Sequence, residues 1–387
     1  MECYLDNAST TRALPEVCDL VGKVMHEDFG NPSSLHMKGV EGERYIREAE
    51  ERICKTLKCV PKNIIFTSGG TESNNTALIG SAIANRRRGK HIVTTCFEHP
   101  SVHEPLLYLE NFGFDVSYLP VDAMGHLSPE VLRQALREDT VLVSVMLVNN
   151  EIGAILDVQA LSKVIREYNE QIVFHVDAIQ AYGKMRLQPR RLGIDLMSVS
   201  GHKIHGPKGT GFLYVGDNVK MNPFIHGGGQ QRGMRSGTEN VPGIAGLGLA
   251  AEKMVKGLDD HREHLYGLKK HFLERITEVD GAVVNVCDMA SLEDTAPHII
   301  SVSFAGVRSE VLLHALEEEK IYVSSGSACS SNHPGISGTL KAIGVPDRLL
   351  DSTLRFSFSV FTEQAEIDAT IDCLKQLVPV LARYQRT

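Results

Sequence analysis

Ile64-Ile65-Phe66-Thr67-Ser68-Gly69-Gly70-Thr71-Glu72-Ser73-Asn74 runs a short apolar strand into a glycine pair, then into hydroxyl and acidic residues that open a helix. Glycines let backbone approach an anion, and the unpaired amides and dipole of a helix start attract phosphate. Turn chemistry alone, a Gly-rich turn with a Thr cap, accounts for the same residues. What decides the fold is repetition of this strand-turn-helix unit along the chain.

Outward from it, apolar runs at residues 91–95, 116–120, 141–147, 172–176, 196–200 and 211–215 read as further strands. Several are near-continuous Val/Ile/Leu, as strands buried on both faces require. Amphipathic segments separate them, one with Ile46, Ala49, Ile53 and Leu57 at helical spacing. This alternation predicts an α/β fold with a mainly parallel central sheet and right-handed crossovers. After about Gly248 the rhythm changes. A helical stretch over 250–279 leads to strands at 299–304, 321–324 and 354–358, and Ile367, Ile371, Leu374, Leu377 and Leu381 line one face of a last helix with Thr362 as its N-cap. The expected division is a large domain over 15–248 and a smaller α+β domain made of 1–14 with 249–387.

Composition narrows the function classes. The 387 residues are 42% hydrophobic and 23% charged, with a formal net charge of -8 and the two signs mixed. That is globular composition without the electrostatic footprint of a nucleic-acid or membrane surface. The basic run Arg86-Arg87-Arg88-Gly89-Lys90 reads as solvated. Eight cysteines occur with no CxxC and no Cys/His cluster at metal spacing, so a disulfide framework and a metal site are not expected. Seven of these cysteines, all but Cys329, read as small buried or half-buried hydrophobes. The opening Met1-Glu2-Cys3-Tyr4-Leu5 has neither the basic nor the apolar region of a signal peptide, and no apolar run reaches membrane-spanning length. The expectation is a cytoplasmic protein. No GxGxxG follows the first strand, which argues against a dinucleotide site.

Two further stretches carry chemistry. Phe174-His175-Val176-Asp177-Ala178-Ile179-Gln180 puts an acid at the carboxyl end of a buried strand, where α/β sheets place ligand groups. Ser198-Val199-Ser200-Gly201-His202-Lys203-Ile204-His205-Gly206 puts a lysine after another. Alone, each has a plain reading, a capping Asp and a solvated Lys. One strand-helix-strand unit separates them, so both strand ends can face one cleft. His175 and His205 read as structural.

Together these pieces resemble the fold-type I pyridoxal-phosphate (PLP) enzymes, in the class V aminotransferase group, and within it the NifS/IscS type of cysteine desulfurase. The resemblance spans the chain, from Leu5-Asp6-Asn7-Ala8-Ser9-Thr10-Thr11 to Leu354-Arg355-Phe356-Ser357. It is also carried by Gly30-Asn31-Pro32-Ser33-Ser34-Leu35-His36, Glu98-His99-Pro100, Val148-Asn149-Asn150-Glu151, Gly227-Gly228-Gly229-Gln230, Arg235-Ser236-Gly237-Thr238-Glu239-Asn240 and Ser325-Gly326-Ser327-Ala328-Cys329.

The resemblance implies roles. Lys203 would form the Schiff base with PLP and shuttle the Cα proton. Asp177 would pair with the pyridinium nitrogen, Gln180 would donate to the ring hydroxyl, and His99 would stack on the ring and transfer a proton. Gly70, Thr71, Ser200 and His202 would hold the phosphate, with Thr238 reaching it from a neighbouring subunit, which implies a homodimer. Asn150 would contact ring and substrate, and Arg355 would clamp the substrate carboxylate.

PLP alone does not name the reaction; Cys329 does. It lies among small polar residues without apolar periodicity, a composition that suits an exposed loop. A thiolate there can attack the sulfur of L-cysteine, release alanine and carry the sulfur as a persulfide to an acceptor or scaffold protein. The interval from Cys329 to Arg355 resembles the long-loop subgroup, although Asn332-His333-Pro334-Gly335-Ile336-Ser337-Gly338 departs from its commonest wording. Selenocysteine lyase or another class V aminotransferase is the alternative. Iron–sulfur cluster assembly, thiamine synthesis and tRNA thiolation would all use this chemistry.

Overall fold

Alternating buried strands and amphipathic helices can satisfy their backbone groups only by stacking strands side by side with the helices on their faces. A computed structural model describes residues 1–325 and 337–384 and has this arrangement. Its strands are β1 (Cys3–Tyr4), β2 (Ile64–Thr67), β3 (His91–Thr95), β4 (Asp115–Leu119), β5 (Thr140–Met146), β6 (Val173–Asp177), β7 (Leu196–Ser200) and β8 (Gly211–Val215). They continue with β9 (Ala282–Asn285), β10 (Ile299–Phe304), β11 (Ile321–Tyr322), β12 (Ser324–Ser325) and β13 (Thr353–Ser357).

Strands β2 to β8 form one sheet in the order β2-β8-β7-β6-β5-β3-β4. The pairs β3–β4, β3–β5, β5–β6 and β6–β7 are parallel, whereas β8 runs antiparallel to β7 and β2. The reversal follows from chain length. The connection between Ser200 and Gly211 is too short for a helical crossover, so β8 must return beside β7. That short connection carries Lys203.

The C-terminal strands build a second, antiparallel sheet in the order β12-β13-β10-β9, and β1 pairs with β11. Its apolar cluster includes Cys3 and Leu5 from the start of the chain together with Phe272, Phe304, Phe356 and Ile371. A separate cluster under the large sheet joins Ile53, Phe174, Met197, Phe212 and Leu247. The helix over Met37–Leu57 packs on the one over Val241–Lys256 so closely that a Cβ at Gly248 would lie 2.6 Å from Ala49 Cα.

Three expectations change. The helical stretch over 250–279 is two helices, Val241–Lys256 and Leu258–Ile276, separated at Gly257, whose N–H closes the first on Lys253 O. The last helix starts at Gln364, and Thr362 does not cap it, because its hydroxyl accepts from the Ser359 N–H instead. Cys18 and Cys96 are exposed, the first on the outer side of a surface helix and the second in the turn after β3. Among the described residues no helix is long and apolar enough to cross a membrane, and no cluster of His, Cys, Asp and Glu could hold a metal.

Candidate active site

The carboxyl ends of the parallel strands open toward one cavity of about 230 Å³, which Ala8, Ser9 and Arg355 of β13 also line. Every residue to which the family resemblance gave a site role lines it except Thr238 and Cys329. Thr238 is exposed on the surface of this chain, and Cys329 lies outside the described residues.

At one end stands the helix Gly70–Asn85. Its first backbone bond is from Ser73 N–H to Gly69 O at 3.0 Å, so the amides of Gly70 and Thr71 precede the hydrogen-bonded ladder. Gly69 has φ 148°, a conformation that glycine adopts without strain. A side chain at Gly70 would meet Ile179 Cδ1 at 2.2 Å, so backbone alone forms this wall. Glu72 is paired with Arg235 at 2.9 Å, which brings the Arg235–Asn240 stretch against the same helix start.

Asp177 ends β6 and is 4% exposed. Its Oδ1 accepts from Ile179 N–H at 2.9 Å and its Oδ2 from Asn74 Nδ2 at 2.8 Å. Burial raises its pKa, opposed by those donors and by His99 and Lys203. Both partners are neutral, so the carboxylate retains the capacity to take a cationic N–H from the cavity.

Asn74 also donates to Ser101 Oγ at 2.9 Å, and Ser101 Oγ lies 2.8 Å from His99 Nδ1. His99 caps the helix Pro100–Glu110, its Nδ1 accepting from Ser101 N–H at 3.0 Å. Burial lowers the His99 pKa, with Asp177 acting against it. A neutral ring with Nδ1 as acceptor keeps its proton on Nε2. Thus Asp177, Asn74, Ser101 and His99 form one chain of hydrogen bonds.

Lys203 Nζ donates to Ala8 O at 2.5 Å and Ser9 O at 2.7 Å. The carbonyl of Lys203 accepts from Lys184 Nζ at 2.8 Å. Gln180 Nε2 also donates to Ala8 O, at 2.9 Å. His202 lies beside Thr10, Nδ1 to Oγ1 at 3.2 Å, and burial followed by the charges of Lys203, Lys208 and Lys184 lowers it to about 4. Arg355, 4% exposed on β13, donates to Asn150 O, Asp6 Oδ1 and Ser9 Oγ at 2.8, 2.8 and 2.6 Å.

The two histidines read as structural have structural partners. His175 bridges strands through Ser144 Oγ at 2.8 Å and Ser198 Oγ at 2.9 Å, and burial lowers it to about 3. His205 Nδ1 is 2.7 Å from Arg12 O. Sequence reasoning assigned no role to Asn74, Ser101 or Asp6. Asn74 and Asp6 lie within the stretches quoted above, but nothing in the spacing shows which side chains their polar groups meet.

Residues 3–370 match the family model Aminotransferase class-V. The cysteine desulfurase IscS of Dictyoglomus turgidum is 43% identical over 380 residues, covering 98% of this chain and 95% of that protein. The protein of the same name from Methanosarcina thermophila is 39% identical over 378 residues, covering 98% and 92%. A solved NifS-like protein superimposes with a TM-score of 0.92 at 36% identity, covering 98% of this chain and 100% of that one.

Proposed function

The chain belongs to the cysteine desulfurases of the class V aminotransferase family, and from that membership we propose how its residues take sulfur from L-cysteine and hold it on Cys329. The observation that carries the reading is the convergence of Lys203, Asp177, His99 and Arg355 on one cavity.

The residues present fit PLP. The unladdered amides of Gly70 and Thr71, with Ser200 and His202 beside them, suit its phosphate. Asp177, buried against neutral donors, suits its ring nitrogen, and Lys203 at the cavity wall suits its carbonyl carbon. When bound, PLP supplies an electron sink conjugated to the substrate Cα, which makes the Cα proton removable and the Cβ–S bond cleavable.

The chain does the rest. Arg355 takes the substrate carboxylate with the planar guanidinium that Asp6, Ser9 and the Asn150 carbonyl hold in place. The Lys203 amine, set by Lys184 on its backbone, removes the Cα proton. His99, kept neutral by burial with its hydrogen on Nε2, can donate a hydrogen bond that orients the substrate sulfur. The Cys329 thiolate then attacks the substrate sulfur. An S–S bond forms, the Cβ–S bond breaks, and its electron pair stays on carbon, which is protonated to become the methyl group of alanine. The persulfide passes to an acceptor thiol, in iron–sulfur cluster, thiamine or tRNA thiolation pathways.

A homodimer completes the site in this reading. Thr238 lies outside its own chain's cavity, and Tyr108 and Phe224 are exposed in a groove that begins at His99. The test is direct. Purified protein supplied with PLP and L-cysteine should form alanine and, with a reducing thiol, an equal amount of sulfide. Lys203→Ala should form neither. Transamination with no sulfide would refute the assignment.

A further inference from the structure

We propose that His298 is a positioning residue for the cofactor pocket: it fixes the Gln180 amide so that an N–H, and not a carbonyl oxygen, faces the cavity. The inference rests on PLP binding as read above. His298 lies fully buried, one residue before β10, in Thr295-Ala296-Pro297-His298-Ile299. Its Nε2 is 3.2 Å from Gln180 Oε1. Gln180 Nε2 donates to Ala8 O at 2.9 Å, and Gln180 lines the cavity.

The chemistry of these partners allows one arrangement. A carbonyl such as Ala8 O can only accept, so the NH2 end of Gln180 must face it and Oε1 must face His298. Oε1 can only accept, so His298 Nε2 carries the hydrogen. Its Nδ1 is buried without a partner among the described residues. A bare lone pair there is less costly to bury than an unpaired N–H, which again places the proton on Nε2. Burial, reinforced by the charges of Lys184, Lys269, Arg355 and Lys203, holds the ring well below the usual histidine range and therefore neutral.

Two anchors thus take the oxygen and one hydrogen of the Gln180 amide, leaving its second hydrogen for the cavity. A flipped amide would set N–H against N–H at His298 and oxygen against oxygen at Ala8. The anchors differ in constancy. Ala8 O also accepts from Lys203 Nζ, so its bonding changes whenever that amine engages elsewhere. His298 has no such second duty, and it keeps the donor aimed at the phenolic oxygen of a bound pyridine ring throughout turnover.

The experiment compares wild type, His298→Leu and His298→Gln in two ways. In cofactor-free protein, 15N imidazole shifts should show His298 as the neutral Nε2–H tautomer. In PLP-loaded protein, the visible absorbance should be titrated against pH, with melting curves to confirm folding. Loss of a donor to the phenolic oxygen should raise the titration midpoint in His298→Leu by roughly half a unit or more. His298→Gln, which keeps an N–H, should return it toward wild type. An Nδ1–H tautomer overturns the proposal, as does an unshifted midpoint in a folded, loaded His298→Leu. If His298→Leu does not fold, the tautomer and the glutamine variant decide. Wild-type protein that never takes up PLP refutes the pocket assignment instead, and the tautomer then judges the amide's orientation alone.

Discussion

Arg355 and Asp6, 349 positions apart in the chain, meet Nη2 to Oδ1 at 2.8 Å. The contact fastens the first residues of the protein to β13 beside the cavity that Arg355 lines. Arg355 Nη1 is taken by the Asn150 carbonyl, while its buried Nε has no partner among the described residues. The guanidinium is therefore held in place by three acceptors at the cavity wall, where the proposed function has it meet the substrate carboxylate.

Replacing Arg355 with Lys removes that fork while keeping a charge. The KM for L-cysteine should rise roughly 10- to 100-fold, the scale of one lost charge-assisted pair. Turnover at saturation should fall much less. Steady-state kinetics decide it, and a fall in kcat at constant KM would remove Arg355 from carboxylate binding.

Asp177→Asn tests the buried acid. Asn keeps an acceptor for Ile179 N–H, and Asn74 can turn its unpartnered Oδ1 toward the new amide, so the cofactor-free variant should fold and, above neutral pH, melt no lower than wild type, because an ion disfavoured by burial has gone. Activity should fall by about three orders of magnitude, since the ring nitrogen loses its counter-ion. Melting curves and alanine formation measure the two halves separately.

Glu98 gives a pH test of stability. Burial raises its carboxyl to about 8, against hydrogen bonds from Thr95 Oγ1 and Met146 N–H. An unfolded chain releases this proton near pH 4.3 or so. Between those values the native state holds more protons than the unfolded one, so this residue's contribution to stability declines as pH rises and levels off once the folded carboxyl has ionised. Glu98→Gln mimics the protonated acid. Its melting temperature should equal that of wild type at about pH 4, pull ahead as pH rises, and keep a constant lead above about pH 8. A constant difference at all pH values would mean that Glu98 does not titrate in this way.

Glu151 accepts from Ser337 Oγ at 2.6 Å and Thr339 Oγ1 at 2.9 Å, tying the helix Gly338–Ala342 to the loop after β5. Glu151→Ala leaves two hydroxyl hydrogens without an acceptor in a buried place, although Ser337 Oγ still accepts from Leu340 N–H, and should cost on the order of 2–3 kcal/mol. Glu151→Gln, which keeps an acceptor, should cost less than half of that. Chemical denaturation of both variants checks the ranking.

Much of this site was legible because strand ends are marked in sequence. Asp177 and Lys203 each stand at the end of a buried apolar run, so the pattern let both face one cleft, while Gly69-Gly70 joined them only through the family resemblance. The parallel order was legible for the same reason, and the reversal of β8 follows from the short connection before it. Contacts made by small polar groups were not legible. An Asn near a helix start serves equally as surface residue or bridge, and only folding shows Asn74 donating to both Asp177 and Ser101. The backbone carbonyl of Ala8 leaves no trace in a pattern at all, yet it receives Lys203 and Gln180. Gly257 was passed over inside an amphipathic run, because helical periodicity persists across a break when both helices face one core.

Transfer of sulfur from L-cysteine to the thiol of Cys329, as proposed above, can be weighed directly. Protein loaded with PLP, given L-cysteine and quenched without reductant, should be digested and weighed peptide by peptide. The mass of one extra sulfur atom should appear on the Cys329 peptide, vanish on later reduction, and be absent from Cys329→Ser, which should form little alanine. Alanine and sulfide produced at the wild-type rate by Cys329→Ser, or added sulfur found only on other cysteines, would contradict the account.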